Sequence, residues 1–265
     1  MRESLGLYMR YAGVSLRAQM QYRVSFVLQV LAQLGVTSIE FFTIAVLFAR
    51  FGALEGWSLP RVAILYGLVH VSFALAEALG RGFDIFPELV RGGGFDRILL
   101  RPRGAAFQVL AAEFQLMRIG RLAQGFVVLM WGLAAPEHAW AWSDAVLIVW
   151  AILGGVCFFG ALMIFSATLA FWTVEGLELM NVLTYGGVET AQFPLDIYRP
   201  WFRAVFTFGV PLACVNYLPA QALFGAATPE RALAGWLAPL ACAAFLGVSL
   251  LAWRVGVRRY VSTGS

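Results

Sequence analysis

The chain has 265 residues, 61% hydrophobic and 13% charged, with a formal net charge of +4 and a mean hydropathy of +0.78. A water-soluble domain carries about 25% charged residues, so this composition excludes an ordinary soluble globule and points to helices that face hydrocarbon. Every basic residue is arginine, which excludes a G-x-x-x-x-G-K-[ST] phosphate loop and other lysine-dependent chemistry.

Residues 1–23 read as an amphipathic helix. Leu5, Met9, Ala12, Leu16 and Met20 share one face, with Glu3, Arg10, Arg17 and Gln21 opposite. A basic amphipathic segment beside a span lies in the headgroup plane. The mixed polarity of these residues and the length of the apolar run behind them are unlike a signal peptide, so the segment is expected to stay attached.

Six candidate spans follow, at 24–49, 61–80, 114–134, 145–171, 203–225 and 233–253. Each approaches the roughly 20 residues that cross a hydrocarbon core. The third carries Arg118 and Arg121 near its start, where they can snorkel to the interface. With the N-terminus inside, 16 arginines fall on the cytoplasmic side, Arg199 and Arg203 among them, against Arg50, Arg61 and Arg231 outside. That asymmetry sets both termini in the cytoplasm. Trp57, Trp140, Trp142 and Trp236 then mark the outer interface, and Trp172, Trp201 and Trp253 the inner one.

The outer loops are short. The longer cytoplasmic stretches, 81–113 and 172–202, are too small for a separate core. The expected fold is therefore all-α: a polytopic membrane protein of about six transmembrane helices, forming one domain over 1–265. Cys157, Cys214 and Cys242 lie in apolar runs without a C-x-x-C pair, so neither a disulfide framework nor a zinc site is indicated.

The most informative loop is 81–104, RGFDIFPELVRGGGFDRILLRPRG. Pro87 suits the first turn of a short helix, Gly92, Gly93 and Gly94 break it, and Pro102 stops a second short segment over 95–100. Within it, Gly94-Phe95-Asp96-Arg97-Ile98-Leu99-Leu100-Arg101-Pro102 resembles the G-x-[LF]-D-x-[LI]-L-x-[RK]-P signature of type-2 ABC exporter permeases, in the loop between the second and third spans where that family carries it. The run around Pro211, followed by Asn216, Tyr217 and Pro219, is similar to the family's fifth span and outward turn. Span number, interfacial helix and chain length agree with the small bacterial permeases paired with a separate ATPase.

The resemblance implies a non-catalytic transport subunit of the bacterial inner membrane. ATP and magnesium would bind a partner ATPase subunit, with no cofactor in this chain. A coupling helix in the loop would fit a groove on that ATPase, and by position the contact would use Asp84, Glu88, Phe95, Asp96 and Arg97. The permease would pair with itself or with a related permease among membrane lipids, with no nucleic acid involved.

Polar residues within spans suggest a translocation path. Ser25, Gln29, Gln33 and Glu40 fall within about 40° of Gln29 on one helix face, and Tyr66, His70 and Glu77 share a face of the next. An ionised side chain at mid-membrane costs about 2.5–3.5 kcal/mol or more, so it seldom faces lipid. Glu40 and His70 lie at matched depth and are expected to meet or to line one cavity. A path with few fixed charges favours amphipathic or lipid-like cargo.

Two rival readings stay open. A polytopic enzyme would need clustered catalytic groups, yet no H-E-x-x-H or G-x-S-x-G is present, His138 lies in a short loop, and Glu175, Glu178 and Glu189 fall in an expected cytoplasmic stretch. A channel would need a filter or ring, for which only the Gln29, Gln33 and Glu40 stripe is available. Either would work without an ATPase.

Overall fold

Away from water, a backbone must satisfy its own N–H and C=O groups, and a helix does so within one segment. The computed structural model describes residues 2–135, 140–173, 177–225 and 228–261. They form twelve α-helices with short 3₁₀ and π turns, and no strand among the described residues.

Helix α1 (Arg2–Gln19) leads through a 3₁₀ turn into α2 (Arg23–Phe51), and α3 (Leu59–Asp84) returns antiparallel. Pro60 sits in the first turn of α3, where its missing N–H costs nothing. Three short helices follow: α4 (Phe86–Arg91), α5 (Gly94–Leu99) and α6 (Ala105–Leu110). Then come α7 (Ile119–Leu133), α8 (Trp142–Leu169), α9 (Leu177–Ala191), α10 (Pro200–Ala204), α11 (Tyr217–Leu223) and α12 (Pro229–Arg259). By length and composition, four segments suffice to cross a membrane: Gly6–Phe51, Leu59–Arg91, Trp142–Leu169 and Pro229–Arg259. The chain is an all-α polytopic membrane protein.

Helix α3 is the central pillar, packed by α7, α8 and α9, with α12 laid along α8. Small residues allow close approach, the means by which helices associate where lipid removes the hydrophobic drive. A Cβ on Gly67 would lie 2.5 Å from Leu129 Cβ, and one on Gly154 would lie 2.7 Å from Pro239 Cα. At one end of the bundle, Phe86, Phe95, Phe171, Trp253 and Tyr260 form an aromatic plug. The C-terminal end of α12 therefore lies beside the 81–104 loop. Helix α1 reaches the same end, where Ser15 Oγ donates to the Phe114 carbonyl at 2.8 Å.

Two expected spans differ from the structure. The third begins later, as the 15-residue α7 behind a 3₁₀ turn at Leu116–Arg118, because Arg118 and Arg121 turn inward onto Glu77. The fifth is misplaced. Residues 200–223 form a pair of helical segments, Pro200–Gly209 and Leu212–Leu223, bent by 75°. The stretch leaves from and returns to the Trp57 end: Asp196 accepts from Trp57 Nε1 at 3.0 Å and from the Tyr217 hydroxyl at 2.7 Å. Between those points Val215 dips to the level of Ser72, both crowding Gly155. The pair is re-entrant.

Residues 177–193, placed by expectation in a cytoplasmic stretch, run alongside α3 instead. Tyr185 of α9 reaches Glu77 near one end of α3, while Asn216 ties the Ala191 carbonyl to that of Leu65 further along. Arg203 pairs with Asp196, so Arg199, Arg203 and Trp201 belong to the end opposite the 81–104 loop. With those two moved, the expected division of arginines between the two ends becomes 14 against 5.

Candidate functional site

The 81–104 loop folds as a small anchored platform. Ile85 ends α3, and Pro87 opens α4 immediately afterwards. Gly93 turns the chain between α4 and α5 at φ +65°, a left-handed conformation that glycine adopts without Cβ strain. Phe95 is fully buried, with its ring 5.0 Å from both Phe86 and Tyr260 in edge-on contact. It is thus an anchor and not an exposed contact, which departs from the role the resemblance implied. Glu88 and Arg97 are exposed, and Asp84 and Asp96 half-buried. Asp84 is ion-paired with Arg81 one turn earlier. Burial and the neighbouring Asp96 carboxylate push the Tyr260 phenol above its ordinary pKa.

The second constellation lies where α2, α3, α7 and α9 approach. Gln29 is exposed, and Gln33 and Glu40 are half-buried on α2. The Tyr66 hydroxyl donates to the Thr37 carbonyl at 2.8 Å, and Gln124 Nε2 donates to the same carbonyl at 3.2 Å. Tyr66 stacks on His70 with ring centroids 4.0 Å apart. His70 is 1% exposed, and neither ring nitrogen has a hydrogen-bond partner. The expected Glu40–His70 pairing is therefore not formed: the imidazole is shut between the Tyr66 ring and Gly125, where a Cβ would lie 2.9 Å from that of His70.

Glu77, expected on the His70 face, instead closes a buried ion-pair cluster. Its carboxylate meets Arg118 at 3.2 Å and Arg121 at 3.1 Å. Tyr185 donates to it at 3.5 Å, and the Arg121 guanidinium lies 4.9 Å from the Phe73 ring centroid. Two cations on one carboxylate, with a π face behind, replace hydration lost on burial.

Glu189 was expected only as a cytoplasmic carboxylate. It is exposed on α9 and accepts from Gln192 Nε2 at 3.0 Å. Glu40 is within electrostatic reach of both Glu189 and Arg121. The signal available in the sequence was a run of 15 to 17 residues whose polar members, Asn181, Tyr185 and Glu189, recur at four-residue spacing. His138 and Glu175 lie outside the described residues, as does the side chain of Glu178. Among the described residues no three His, Cys, Asp or Glu side chains gather as a metal site requires.

A stretch of 130 residues, 48% of this chain, is 28% identical to a protein described as "Probable potassium transport system protein Kup" from Aeromonas salmonicida (strain A449). The match covers 21% of that protein, so the chain spans about a fifth of this relative's length. No solved structure matches. A family model described as "ABC-2 family transporter protein" matches residues 34–264, from within α2 through the end of α12. With apolar crossings, a re-entrant pair and an anchored loop between α3 and α7, the chain belongs to the ABC-2 family of transporter membrane proteins.

Proposed function

We propose that this chain is the permease subunit of an ATP-driven exporter in a bacterial inner membrane, with both termini and the 81–104 loop in the cytoplasm. A separate ATPase subunit binds ATP and magnesium and seats on α4 and α5. The observation that carries this reading is the platform itself, an exposed charged surface set on buried aromatic anchors. Glu88 and Arg97, flanked by Asp84 and Asp96, offer both signs of charge to a partner. Phe86 and Phe95 fix that surface to Trp253 of α12 and to Phe171 behind α8.

Closure of the ATPase subunits on ATP displaces this platform. Because α4 follows α3 through one residue and its aromatics grip α12, the displacement reaches α3 and α12 together. ATP shifts the balance between membrane states only by favouring one of them. Two permease chains, identical or related, enclose the path. Glu40 and Glu189 support that pairing: facing lipid, each would cost about 2.5–3.5 kcal/mol or more if ionised, whereas at a chain–chain seam they line an aqueous route with Gln29 and Gln33. His70 lies behind this surface and shapes it from within.

The test is to purify the tagged full chain from its host under mild detergent and identify the subunits that stay bound. The reading expects a nucleotide-binding subunit and a second permease. A chain that purifies without an ATPase, and transports or reacts without ATP, would contradict it.

A further inference from the structure

Two cavities at the loop end of the bundle share one wall. The first, about 490 Å³, lies between α1 and the platform and is lined by Leu7, Tyr11, Arg97, Arg101, Arg103 and Phe107. The second, about 390 Å³, is an apolar groove along α3, α8 and α12, lined by Leu79, Phe83, Leu110, Cys157, Gly160 and Leu246. Phe107 lines both. Helix α6 separates them, turning Gln108 to the basic side and Ala106 and Leu110 to the apolar side. It is held tightly: a Cβ on Gly82 of α3 would lie 1.7 Å from the Val109 carbonyl oxygen.

The amphipathic α1, whose pattern suits the headgroup plane, flanks both cavities. Its Tyr8 hydroxyl donates at 3.4 Å to the carbonyl of Leu79, a groove residue, while Leu7 and Tyr11 wall the basic cavity. An arginine-bearing chamber and an apolar groove on the two sides of α6, with Phe107 lining both, have the polarity profile of one amphiphile draped over that helix: a phosphate-bearing head and an acyl tail. A soluble protein partner would fill the first chamber and leave the second to bulk lipid.

We propose that this end of the permease holds one anionic phospholipid, its phosphate at Arg101 and Arg103 and one acyl chain in the groove between α3, α8 and α12. Guanidinium groups suit this role because they grip phosphate oxygens in a planar fork, and basic pockets beside cytoplasmic helix ends attract anionic lipid. The site lies away from the Glu40–Glu189 surface and does not depend on the ATPase assignment. Its lipid would brace α1, α6 and the platform against one another.

The experiment is native mass spectrometry of the delipidated full chain. It is titrated with phosphatidylglycerol, with phosphatidylcholine, and with inorganic phosphate as competitor. The expected result is one phosphatidylglycerol per chain, held more tightly than phosphatidylcholine and not displaced by phosphate. Arg101→Gln with Arg103→Gln should weaken it about thirtyfold, at roughly fivefold per arginine near an anionic headgroup. Gly160→Leu, whose added Cβ meets open space, should weaken long-chain lipid while leaving the arginines in place, so the groove is tested even if the arginine pair fails to fold. Equal retention of both lipids, displacement by phosphate alone, or undiminished phosphatidylglycerol in these variants would overturn the proposal. So would an arginine pair that keeps its lipid and loses a copurifying ATPase, since those arginines would then be a protein contact.

Discussion

Helices α2 and α3 are neighbours in sequence and equally apolar, with a mean hydropathy of 1.8 in the best window of each, yet 83% of the α3 window is buried and only 11% of the α2 window. The difference shows which helix is held inside the fold and which keeps an open face. Helix α3 is enclosed by α7, α8 and α9 and holds Tyr66, His70 and Glu77 in the interior. Helix α2 touches the rest mainly through α7, so its polar stripe and much of its apolar surface remain available to lipid, to a second chain or to cargo. Hydropathy measures compatibility with hydrocarbon and cannot tell these two fates apart.

Substitutions on the two helices should separate stability from transport. The largest loss of stability is expected for Glu77→Ala. It leaves Arg118 and Arg121 buried without their carboxylate, at about 3–5 kcal/mol, read as a fall in melting temperature in detergent. Phe95→Ala should cost a similar amount, about 3–5 kcal/mol, by emptying the aromatic plug. A melting temperature unchanged by Phe95→Ala would mean that the platform is not anchored as described. Gly67→Ala should cost about 1–3 kcal/mol, because its Cβ would overlap Leu129.

On the exposed side the order reverses. Asp96→Arg is expected to abolish ATP-driven transport while membrane insertion is retained; unimpaired coupling would count against the docking role. Glu189→Leu should leave the melting temperature level or higher, because it removes a carboxylate from an exposed helix face, and should reduce transport. Gln29→Ala is the smallest case, within about 0.5 kcal/mol in stability, with any effect confined to transport.

The elements legible from sequence were those whose surroundings are uniform. Expected spans at 24–49, 61–80, 145–171 and 233–253 correspond to α2, α3, α8 and α12, since each presents a long apolar surface whatever it touches. Helix α9 was obscured because its polar residues are satisfied or exposed at a particular place, Tyr185 on Glu77 and Glu189 within electrostatic reach of Glu40. The re-entrant pair imitated a span because its apolar residues fill the space between α8, α9 and α12. The 75° bend at Pro211 breaks that length into two segments. The loop signature located the platform, but the inward turn of Phe95 depends on aromatics at 171, 253 and 260. No local pattern links residues so distant along the chain.

In the proposed transporter, α4 and α5 are the surface on which a separate ATPase sits. The direct measurement is cross-linking in native membranes from Glu88→Cys on the platform, compared with Val149→Cys on the exposed face of α8. An adduct with a nucleotide-binding subunit is expected from position 88 and none from position 149, if the ATPase sits there. No such adduct at 88, or equal adducts at both positions, would contradict that placement.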